Sequence, residues 1–144
     1  MNQIKFLTVA QTLAIHEQQL ANYGGTTGII DEGKLESALY RPINIANYKP
    51  DASLQDLAAA LGYGIAINHR ASSMLPEQSS GYAPAYVDGN KRTAFIVMAV
   101  FLQINKVELT ASEIDVVQIM LGIAKGVTTE NDLSTWLKQN TIEL

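Results

Sequence analysis

A chain of 144 residues, 47% apolar and 17% charged, reads as one soluble globular domain, long enough to bury a continuous core without covalent staples. Its formal net charge of −4 argues against direct nucleic-acid binding as its main purpose. It has no cysteine, and His16 and His69 are its two histidines, so a disulfide framework, a thiolate zinc site and a multi-histidine metal site are excluded.

No apolar run reaches membrane-spanning length and no leader-like pattern opens the chain, so a cytoplasmic protein with no membrane partner is expected. Apolar residues recur mostly at helical spacing, and the alternation of buried strands is scarce. Val9, Leu13, Leu20 and Tyr23 mark one face of a first helix, which Gly24-Gly25 stops. His16, beside Glu17 and Gln18, reads as a surface or capping histidine with no catalytic role. After a loop over residues 26–30, a short helix is expected from Glu32 to Tyr40. It should end there because the residue before Pro42 is steered away from helical geometry, leaving 41–50 irregular.

Ser53, with Asp56 three residues on, starts a third helix. Its run from Leu57 to Ile67 is apolar nearly all round, which predicts a buried helix with His69 at its end. Gly62 and Gly64 lower helix propensity there but let neighbouring backbones approach. The serines, prolines and glycine of residues 70–84 read as a loop. A second greasy helix follows from Asn90 to Asn105. Thr110 and Glu113 read as a capping box for a helix to about Lys125. Thr128 or Thr129 caps the last helix, with Leu133, Trp136 and Leu137 facing inward. The expected fold is all-α: a single domain over 1–144, bundled around two buried central helices.

One segment, Asp88-Gly89-Asn90-Lys91-Arg92-Thr93, breaks the local rules. On this reading it stands directly before a buried helix, where unpaired N–H groups already carry partial positive charge. Two cations there are unfavourable unless an anion, most simply a phosphate, occupies the helix start. Gly89 can take backbone angles that converge N–H groups on that anion, and Asn90 adds an amide donor. Asp88 beside phosphates suggests a Mg²⁺ ligand. The alternative is an Asp88 that caps the helix, with Lys91 and Arg92 solvated or salt-bridged. A Walker A loop is absent, since no Gly-x-x-x-x-Gly-Lys-Ser/Thr run occurs.

The stretch Tyr86-Val87-Asp88-Gly89-Asn90-Lys91-Arg92-Thr93-Ala94-Phe95 resembles the signature of the Doc branch of the Fic/Doc family, His-x-Phe-x-Asp-(Gly/Ala)-Asn-Lys-Arg-Thr. Residues 28–42 and 57–69 are similar to two further family stretches. The resemblance implies a Fic/Doc-like all-α bundle whose motif grips ATP with Mg²⁺. Fic members, with glycine at the position of Lys91, transfer AMP to protein hydroxyls. Doc members, with lysine there, transfer the γ-phosphoryl to a threonine of elongation factor Tu and stop translation. Lys91 therefore places this chain on the Doc side.

By the same resemblance, Asp88 is the metal ligand, and Gly89, Asn90, Lys91, Arg92 and Thr93 form the nucleotide-binding run. A Phd-like antitoxin is the implied partner. The family's histidine lies four residues before its aspartate, where this chain has Pro84. Asn68-His69 resembles the family's own Asn-His pair, so the simplest alignment places an inserted loop at about 70–84. Loop closure costs only about 0.6 kcal/mol per doubling of length, which leaves His69 able to serve as general base. The expectation is a Doc-like protein Ser/Thr kinase with His69, Asp88, Lys91 and Arg92 as catalytic residues. Two alternatives stay open: nucleotidyl transfer as in Fic, or a degraded homologue acting as a binding module, for which the insertion is the main support.

Overall fold

The computed structural model describes the backbone of residues 3–23, 32–73 and 84–144, and the side chains of 3–18, 33, 35–67 and 92–144. Among the described residues six helices, α1 (Val9–Tyr23), α2 (Glu32–Tyr48), α3 (Leu54–Ser73), α4 (Pro84–Ile104), α5 (Glu113–Lys125) and α6 (Glu130–Gln139), carry almost all the regular structure. The all-α expectation holds. A two-stranded ribbon adds to it: β1 (Val107–Leu109) pairs antiparallel with β2 (Thr141–Glu143), Glu108 opposite Ile142.

The centre is α3, which packs most extensively on α4 and α2 and also meets α6 and α5. Leu57, Ala58, Ala59, Leu61 and Ile65 of α3 and Ala94, Val97, Met98, Phe101 and Leu102 of α4 are all buried. These are the two central helices read from the sequence. Gly62 shows why small residues punctuate α3. A Cβ there would come within 2.9 Å of the Met98 sulfur, so the glycine lets α4 lie close.

Several boundaries differ from expectation. The first is α2, which runs through Pro42 to Tyr48 instead of stopping at Tyr40. A proline inside a helix removes one hydrogen bond and costs about 3 kcal/mol locally. Here Pro42 is fully buried and Ala38, one turn before it, faces α3 across Gly64, so packing overrides the local preference. The third helix continues past His69 to Ser73, and α4 begins at Pro84 rather than Asn90. Residues 70–73 and 84 of the expected inserted loop are thus helical, while 74–83 lie outside the described residues, as do the Gly24-Gly25 stop and the loop over 26–30.

Caps account for the remaining ends. The Ser53 hydroxyl accepts from the Asp56 N–H at 3.0 Å, and the Ser53 N–H donates to the Asp56 carboxylate at 3.1 Å, as the sequence suggested. Thr129 and Asp132 form the same reciprocal box at the start of α6. By contrast, α5 is capped by Ser112, whose hydroxyl accepts from Asp115, not by Thr110 with Glu113. Thr110 donates its N–H to the Asn140 carbonyl, extending the ribbon, which removes it from the cap.

Candidate functional site

The run from Asp88 to Thr93 lies wholly within α4, beginning in its second turn. This corrects the picture of cations at a helix start. The partial charge of a helix terminus fades within its first turn, so the argument for an anion from a conflict with the dipole does not carry over. Helical spacing arranges the run differently. Asp88 and Arg92 are four residues apart and share one face of α4, and Gly89 and Thr93 share the adjacent one.

Side-chain geometry is described for the last two residues of the run. Arg92 is half-buried, while Thr93 is fully buried. The Thr93 hydroxyl lies 3.2 Å from Nδ1 of His16, a ring buried to 8% exposure on α1. His16 is therefore no surface histidine, which overturns its sequence reading. Among the described residues of α1, Thr12 and His16 are buried, flanked by half-buried Val9 and Leu13. The signal was present, since His16 follows Leu13 by three residues on the same stripe, but its acidic and amide neighbours suggested solvent.

His69 sits on α3, within the helix instead of at its end, on the element packed most extensively against α4. The side chains of His69, Asp88, Asn90 and Lys91 lie outside those described. Among the described residues no group of three or more His, Asp or Glu side chains gathers to hold a metal. A carboxylate fits Mg²⁺ at a nucleotide site as part of a set completed by phosphate oxygens, the manner in which Mg²⁺ ordinarily meets nucleotides.

No family model matches this chain. A curated protein named Toxin Doc, from Mycolicibacterium smegmatis (strain ATCC 700084 / mc(2)155), is 40% identical to it over 91 residues. The chain is similar to that toxin over this stretch. The match covers 62% of this chain and spans 58% of that relative's length, a little over half. The helical fold around α3 and α4 agrees with the architecture implied by the Doc resemblance. Among the described residues no helix is long and apolar enough to cross a membrane.

Proposed function

We propose that the protein is a Doc-like toxin that transfers the γ-phosphoryl group of Mg·ATP to a serine or threonine hydroxyl of a protein, with elongation factor Tu as the family's target. The observation that carries this reading is a carboxylate and a guanidinium, Asp88 and Arg92, one turn apart on one face of α4, with Lys91 at the edge of that face. Phosphoryl transfer depends mainly on positioning and on neutralising charge, so such a set suits it. Bound ATP with its metal supplies the group to be transferred. Lys91 and Arg92 then hold phosphate oxygens and Asp88 holds the metal, while helical spacing turns Asn90 to the opposite side of α4 and Gly89 to the side of Thr93. His69 accepts the proton of the incoming hydroxyl.

The similarity to Toxin Doc supports a toxin, and the family resemblance of the motif adds a Phd-like antitoxin as its partner and the bacterial cytoplasm as its place of action. The second reading, AMP transfer as in Fic, is disfavoured by Lys91, which fills the position where Fic members have glycine. Purified protein incubated with elongation factor Tu and either γ-labelled or α-labelled ATP separates the possibilities. Transfer of γ-label alone is expected. Transfer of α-label would establish the nucleotidyl reading, and no transfer from either would leave a binding module.

A further inference from the structure

Four polar side chains are buried among the described residues: Thr12, His16, Thr93 and Ser134. The Thr12 hydroxyl turns back to the Thr8 carbonyl on its own helix, and Ser134 donates to Asp56 between α6 and α3. His16 and Thr93 instead join α1 to the phosphate-binding run proposed above. A second tie between the same parts of the fold lies at the far end of α4. There the Asn105 amide donates to the Lys5 carbonyl, and its oxygen accepts the Lys5 N–H, both at 2.9 Å. Residue 5 meets 105 and residue 16 meets 93, so the N-terminal segment and α1 run antiparallel along α4, bound at its middle and just beyond its C-terminal end.

We propose that His16 is a positioning residue: its bond to Thr93 sets the rotation of α4 about its own axis and so the direction in which Arg92 and Asp88 are presented. The inference rests on the nucleotide reading of that run. Apolar contacts between α1 and α4 are non-directional and tolerate rolling of one helix on the other. A hydrogen bond between two buried side chains does not, because its donor and acceptor must stay aligned. Whichever tautomer the ring adopts, one of the two atoms donates to the other. The tie acts on Thr93, one residue from Arg92, so small rolls are suppressed where phosphate contacts are made. Misplacement by about 1 Å at such a site can cost on the order of a hundredfold in rate.

The test compares Thr93→Val, which keeps shape but removes the hydroxyl, with Thr93→Ser, which keeps the hydroxyl, and His16→Leu with the milder His16→Gln. Mg·ATP affinity of the folded protein is measured by calorimetry, and amide exchange over residues 84–96 by mass spectrometry, with α6 as reference. Thr93→Val and His16→Leu are expected to bind Mg·ATP about tenfold more weakly, as when only about a tenth of the molecules hold α4 in the binding rotation. Thr93→Ser should retain affinity, and exchange should rise over 84–96 but not in α6. If Thr93→Val and His16→Gln fold and bind as the parent does, with exchange rising evenly, the pair only adds stability and the proposal is overturned. If the parent chain itself binds no Mg·ATP, the nucleotide reading fails. Exchange then decides the tie separately: a local rise over 84–96 supports it, and an even one refutes it.

Discussion

At the scale of single residues, Asp56 shows how one carboxylate can join a helix start to a neighbouring element. Burial works against its charge, but the Ser134 hydroxyl, the Ser53 N–H, the Lys138 ammonium and the Ser53 hydroxyl favour it more strongly and hold its pKa at about 2. The Lys138 nitrogen lies 3.2 Å away, on the same helix as Ser134. Because the folded value is depressed from 3.8, the contribution is full above that pH and disappears as pH falls toward 2. Asp56→Asn should therefore cost on the order of 1 kcal/mol at pH 7, allowing for solvent screening of a carboxylate 37% exposed. Urea unfolding of both proteins checks this. The deficit should shrink between about pH 4 and pH 2, and one that stays constant would mean that lost shape, not lost charge, is responsible. Ser53 and Asp56 were legible because their spacing is local. Ser134 and Lys138 were not, since only the tertiary fold brings them to that carboxylate.

At the scale of elements, the sequence was readable wherever burial and local preference agree. The apolar runs of α3 and α4, the Ser53 and Thr129 caps and the inward Leu133 and Leu137 of α6 all follow from side chains in one short window. The failures are places where a distant contact prevails over local chemistry. Pro42 stays helical because it is buried, and Thr110 leaves its expected cap for the ribbon with Asn140. The two strands are three residues each, too short for alternation to register, and depend on pairing across some thirty intervening residues. Gly62 makes this balance measurable. Alanine would gain about 1 kcal/mol of helix propensity yet drive a Cβ against the fully buried Met98, an overpacking cost of about 1–3 kcal/mol. Gly62→Ala is expected to lower stability by about 1 kcal/mol in chemical denaturation. Stabilisation by a similar amount would mean that Met98 moves aside freely and that the close approach of α3 and α4 is not needed.

At the scale of the whole molecule, the candidate site draws on both central helices: His69 from α3 and the run from Asp88 to Thr93 from α4. Its residue types were legible because a carboxylate, an amide and two adjacent cations stand in one short run. Its setting was not, since the run lies inside a helix rather than before one and is fastened through His16, which is distant in sequence. Because the central helices also form the core, nucleotide bound there should stabilise the entire fold and not merely one loop. A ligand at a hundred times its Kd adds about 2.7 kcal/mol. For a domain near this size that raises Tm by roughly 5–10 °C if unfolding is two-state. The rise should survive in His69→Ala, whose proposed part is to accept a proton, while transfer of γ-label is lost. It should vanish when Lys91 and Arg92 are both replaced by alanine. That double variant without nucleotide should melt no higher than the parent protein, because neither cation opposes a helix terminus in this fold. Differential scanning calorimetry with and without Mg·ATP gives all of these values. Loss of the shift in His69→Ala would make the histidine a nucleotide-binding group, and its persistence in the double variant would place the phosphates elsewhere on the molecule.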